Sequence, residues 1–151
     1  MKFAAREREL HLLDQLYHRP GAQFLILYGR RRIGKTRLLT HWAAGVEGHA
    51  LPEGRILYWM ATQTSATNQL RKFSQALWQY LNPEAAVEPT FSYTSWEAAF
   101  AEVARLAEQE RFVLILDEFT YVMQADPEVP SLIQQAWDHQ LKGSNVFLVL
   151  S

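Results

Sequence analysis

Two kinds of apolar pattern alternate along the chain. Leu10, Leu13, Leu16 and Tyr17 fall three or four residues apart with charges between them. That spacing predicts a helix over residues 6–17, stopped by His18-Arg19-Pro20-Gly21. Residues 24–28 (FLILY) are instead an unbroken apolar run, as expected of a strand buried on both faces in a parallel sheet. Helical spacing resumes over 35–44, with Leu38, Leu39, Trp42 and Ala43 inward, and Gly45, Gly48, Pro52 and Gly54 then read as a loop. Residues 56–60 form a second strand, and Leu70, Phe73, Leu77 and Leu81 mark a helix over 67–81. After a connection, Thr94-Ser95-Trp96-Glu97 has the capping-box form, with Thr94 as cap and Glu97 reaching back. The helix that follows buries Trp96, Ala99, Phe100, Val103 and Leu106. Residues 112–116 and 146–150 are a third and fourth buried strand. Between them Asp126-Pro127 and Val129-Pro130 turn the chain into a helix through Leu132, Ile133, Ala136, Trp137 and Leu141, closed by Gly143.

Strands alternating with helices predict an α/β fold with a parallel sheet and right-handed crossovers. Residues 1–20 read as a helix preceding the core, and 21–151 as the core itself. The sequence stops at the tip of a buried-type strand, so it reads as part of a longer polypeptide, with the core incomplete at its C-terminus.

Composition changes this picture little. At 151 residues, 48% hydrophobic and 21% charged, the chain fits one ordinary globular domain. A net charge of -1 gives no global pull toward nucleic acid or anionic membrane. With no cysteine, disulfides, thiolate metal sites and cysteine nucleophiles are excluded. Five histidines lack metal-ligand spacing. No apolar run approaches the roughly 20 residues that span a bilayer, and the start is charged too early for a secretory signal. The cytoplasm is the default compartment, with no membrane partner.

The candidate chemistry lies between the first strand and the next helix. Gly29-Arg30-Arg31-Arg32-Ile33-Gly34-Lys35-Thr36 matches G-x-x-x-x-G-K-[ST], a match that chance gives in roughly one chain in 200 of this length. The strand–loop–helix context is the one in which this pattern cradles phosphate. A triphosphate needs convergent donors, and backbone N–H groups at a helix N-terminus supply them, aided by the helix dipole. Gly29 and Gly34 allow the tight turn and close approach of backbone to phosphate. Lys35 is placed to reach the β- and γ-phosphates, and the Thr36 hydroxyl to ligate Mg²⁺. Arg30, Arg31, Ile33 and Arg32 contribute backbone, and Arg37 follows in the helix. Whether the arginine side chains face solvent, or a neighbouring subunit or nucleic-acid phosphate, stays open.

Asp117-Glu118, closing the third strand, is the second signature. Parallel topology brings strand carboxyl ends to one edge, where ligands collect. Asp117 would hold Mg²⁺ opposite Thr36, directly or through water, and Glu118 would orient and deprotonate an attacking water. A glutamate directly after the magnesium aspartate suits hydrolytic ATPases, and the lack of an Asn-Lys-x-Asp segment favours ATP over GTP.

With FAARERELHLL at the start, GRRRIGKTRLL, WEAAF, LILDEFTY and PSLIQQAWDHQLKGSNVFLVLS, the chain resembles the archaeal and bacterial AAA-type P-loop ATPases over nearly its whole length. The resemblance implies a three-layer P-loop fold with sheet order 5-1-4-3-2, here lacking strand five, which would leave strand one an exposed edge. It also implies a polar sensor after strand four, where Ser151 stands, and further regions that bind DNA or an effector. A homo-oligomer and the source of any arginine finger stay open. The chain departs from the family at Ala5, where glycine is usual, and at Thr120, where glutamine is frequent. Function is therefore expected to be hydrolysis of Mg-ATP coupled to conformational change, the alternative being a nucleotide-dependent switch with little turnover.

Overall fold

A computed structural model of the chain describes residues 7–28, 34–48 and 55–151. The apolar runs become four parallel strands: β1 (Gln23–Ile26), β2 (Ile56–Met60), β3 (Phe112–Asp117) and β4 (Val146–Leu150). Their order is β1-β4-β3-β2, the arrangement implied by the resemblance. Each β3 and β4 residue is buried, because these strands have neighbours on both edges and helices on both faces. The first strand departs from expectation. Residues 24–28 were expected to be buried on both faces, yet the strand is Gln23–Ile26, with Ile26 44% and Tyr28 83% exposed. Among the described residues it pairs with β4 alone, the edge position expected of strand one in this sheet order.

Strand pleating divides the core in two. Val113, Ile115, Phe147 and Val149 face Leu13, Leu16 and Tyr17 of α1 (Glu7–His18) and Leu38, Leu39 and Trp42 of α2 (Lys35–Gly48). The Trp42 indole N–H donates to Asp14 Oδ1 at 2.8 Å, joining these two helices. On the other face Phe112, Leu114, Leu116, Val146 and Leu148 meet α3 (Ala66–Leu81), α4 (Trp96–Leu106), α5 (Thr120–Ala125) and α6 (Val129–Ala136). Phe73 of α3 stacks on Trp96 of α4, ring centroids 5.3 Å apart, and meets Trp59 of β2 edge-on at 5.5 Å. Among the described residues no helix is long and apolar enough to cross a membrane.

Local chemistry moves several predicted boundaries. Gly45 and Gly48 lie inside α2, not in a loop, because the Leu38–Leu39–Trp42–Ala43 stripe holds the helix against the sheet beyond the first glycine. Pro52 and Gly54 lie outside the described residues. The cap of α4 is Ser95, not Thr94: its extended backbone lets Oγ accept the Ala98 N–H at 3.0 Å. Glu97 does not complete a capping box, and its buried Oε1 has no hydrogen-bond partner among the described residues. The helix expected to run through Leu141 widens to a π-helical turn over Trp137–Leu141, with Lys142 N bonding Trp137 O at 3.0 Å. Leu141, the last residue of that turn, is fully buried, as its place in the predicted stripe requires.

At the amino edge of the sheet two arginines donate to backbone carbonyls of neighbouring elements. Arg111 donates to the carbonyls of Tyr17 at 3.1 Å, Asn145 at 2.9 Å and Val146 at 3.0 Å, and to that of Arg19. Arg55 donates to Leu106 O at 2.6 Å and Glu110 O at 2.9 Å. A guanidinium presents several donors in a rigid fork, so one side chain pins the end of α1 to the starts of β3 and β4. Arg111→Ala leaves those carbonyls without their donor and is expected to cost about 2–4 kcal/mol. Urea unfolding should show a lower midpoint at unchanged slope; a loss under about 0.5 kcal/mol would mean that the clamp adds little.

Candidate functional site

All four strands point their carboxyl ends the same way, so the residues just past them share one edge with the start of α2. The segment 29–33, comprising Gly29, Arg30, Arg31, Arg32 and Ile33, lies outside the described residues. Gly34 is described, with φ +86°, a backbone region that L side chains rarely adopt. From there the chain enters α2, and Leu38 N donates to Gly34 O at 2.9 Å. Lys35 and Thr36 are therefore the first helical residues, where amide N–H groups lack intrahelical acceptors. Arg37 is exposed on the same helix.

The two sequence signatures meet through one hydrogen bond. Thr36 Oγ1 donates to Asp117 Oδ2 at 2.7 Å across 81 residues of sequence. Asp117 is only 1% exposed, so its carboxylate depends on such donors. A second donor, absent from the sequence reading, is Tyr58, whose hydroxyl reaches the same Oδ2 at 2.5 Å. Strand register explains the meeting. Met60 pairs with Asp117, so Tyr58, two residues earlier, lies on the same face of the sheet as that carboxylate. Burial first, then the bond to Asp117 and its charge, raises the Tyr58 pKa well above the usual phenol range, which keeps it a neutral donor. The remaining oxygen, Oδ1, accepts the Glu118 N–H at 2.9 Å.

Glu118 has φ +56°, the one positive value among the described non-glycine residues. A left-handed L-residue costs roughly 1–2 kcal/mol, and its neighbours supply the restraint. Ala61 N bonds Asp117 O at 2.9 Å, Phe119 N bonds Ser151 O at 2.8 Å, and Tyr121 N bonds Glu118 O at 3.1 Å. The last of these starts α5, a helix too short for periodicity to reveal. With Thr36, Met60, Thr62, Gln63 and Tyr121, Glu118 lines an open cleft of about 490 Å³. Lys35 lines a neighbouring hollow of about 320 Å³ with Tyr28, Phe119, Thr120 and Ser151. The Ser151 hydroxyl is buried there without a hydrogen-bond partner among the described residues.

The donor set is one of hard oxygens, a carboxylate and a hydroxyl in contact. Oxygen donors of this kind are chemically compatible with a hard cation such as Mg²⁺.

The comparisons with known proteins agree with this architecture. An uncharacterized protein of Methanocaldococcus jannaschii is 28% identical over 150 residues, covering 98% of this chain and 29% of the relative. A Walker-type ATPase of Pyrococcus abyssi superposes with TM-score 0.62 at 18% identity, covering 96% of this chain and 44% of that one. A Drosophila ORC structure bound to DNA gives TM-score 0.63 at 16% identity, covering 98% and 37%. The chain thus spans less than half the length of each. A family profile described as an ATPase domain predominantly from Archaea matches residues 3–151, and the chain belongs to that family.

Proposed function

We propose that this domain binds Mg-ATP at the carboxyl edge of the sheet and hydrolyses its terminal phosphoanhydride to drive a conformational change. The observation that carries this reading is the 2.7 Å contact between Thr36 and Asp117, which joins the phosphate-loop helix to the acidic strand end. Thr36 would ligate the Mg²⁺ ion directly and Asp117 would hold it through a bound water, the ion neutralising phosphate charge when bound. Lys35, with backbone N–H groups from Gly29 through Thr36, would carry the β- and γ-phosphates. Glu118, on the wall of the cleft beside Thr36, would orient water for in-line attack. As the new P–O bond forms and the bond to the β-γ bridging oxygen breaks, Glu118 takes the water proton. The products are ADP and inorganic phosphate.

Two substitutions separate binding from chemistry. Glu118→Gln is expected to keep ATP affinity within about twofold while turnover falls roughly 10²–10⁴-fold. Lys35→Ala removes a charge-assisted contact and should weaken ATP binding itself by about ten- to hundredfold. Nucleotide affinity and phosphate release measured on the full-length protein test both. Equal phosphate release from wild type and Glu118→Gln would remove Glu118 from the mechanism and, where that shared rate is slow, favour the low-turnover switch.

DNA-bound ORC shares the fold, which makes DNA or a DNA-bound assembly the first partner class to test. A homo-oligomer is the other arrangement that would place a neighbour's arginine near this edge.

A further inference from the structure

We propose that Tyr58 is a positioning residue of this site: it holds the Asp117 carboxylate where Thr36 can offer its lone pairs to Mg²⁺. The inference deepens the Mg-ATP reading above and rests on it. Packing alone requires only the ring of Tyr58, which lies against the cluster formed by α1, α2 and the sheet. A phenylalanine would fill that space equally well. What the hydroxyl adds is a 2.5 Å bond to a carboxylate that is otherwise sealed from water.

The arrangement has a chemical consequence. A threonine hydroxyl has one proton and two lone pairs. Thr36 gives its proton to Asp117 Oδ2, which leaves its lone pairs available to a cation. Tyr58 donates to that same oxygen, while Oδ1 is occupied by the Glu118 N–H. With donors on both oxygens the carboxylate is restrained against swinging onto the ion, and serves as the acceptor that keeps Thr36 correctly turned. Removing the Tyr58 hydroxyl frees one side of Oδ2 and loosens that alignment. Binding of the nucleotide without metal does not use this contact.

The test is a Mg²⁺ titration of ATP affinity on the full-length chain, with a fluorescent ATP analogue as probe. For Tyr58→Phe, the Mg²⁺ concentration giving half-maximal tightening should rise about three- to tenfold, from loss of one charge-assisted bond. Affinity in EDTA should stay within about twofold of wild type. In an Asp117→Asn background the same substitution should add nothing, because its target carboxylate is gone. A folded Tyr58→Phe with the wild-type Mg²⁺ dependence would overturn the proposal, as would a full additional loss in the Asp117→Asn background. A wild-type chain that shows no nucleotide binding with or without Mg²⁺ would overturn the underlying Mg-ATP reading instead.

Discussion

A carboxylate buried to 1% exposure is costly unless donors surround it, and the site is organised around meeting that requirement for Asp117. Its donors come from three separate places: Thr36 at the start of α2, Tyr58 within β2, and the backbone N–H of Glu118. Glu118 is adjacent in sequence, but Thr36 and Tyr58 lie 81 and 59 residues away and are brought near only by the fold. Parallel pairing of β2 with β3 sets the register of Tyr58, and packing of α2 against Ile115 and Val149 sets the position of Thr36. The same carboxylate that would be a liability in a plain core thereby becomes a fixed negative point at a helix N-terminus. In the proposed reading that charge would face a hydrated cation, while the N–H groups of the helix N-terminus would face the phosphates.

The opposite edge of the sheet works by the inverse logic. Arg111 and Arg55 bring positive donors to a set of carbonyls left over where helices end and strands begin. Those arginines close the scaffold, while the carboxyl edge stays open around Thr36 and Glu118. Strain is found at the open edge too, where Glu118 is held in the left-handed region by backbone bonds on either side. A residue kept there at a cost is consistent with a side chain whose direction matters more than local stability.

Most of the scaffold could be read from the chain because its signals are strong and local. Continuous apolar runs gave β2, β3 and β4, and the Leu38–Leu39–Trp42–Ala43 stripe gave the buried face of α2. Misreadings arose where tertiary context outweighs local pattern. Apolarity alone placed β1 between two buried faces; its edge position came only from the sheet order that the resemblance implies. Gly45 suggested a break that packing overrides, and the spacing through Leu141 did not distinguish the π turn over Trp137–Leu141 from a regular helix. Of the candidate site, Thr36, Asp117 and Glu118 were visible as motif residues and meet at one edge. Tyr58 was hidden because its importance depends on cross-strand register; an aromatic with a hydroxyl amid purely apolar neighbours was the only signal.

The central claim is that Thr36 and Asp117 form one metal-nucleotide site. The most direct measurement is a crystal structure of the full-length protein with Mg²⁺ and a non-hydrolysable ATP analogue. The account predicts Thr36 Oγ1 at about 2.0–2.1 Å from the ion, with Asp117 still accepting its proton. An ion bound away from Thr36, or an Asp117 turned out of contact with it, would contradict the account.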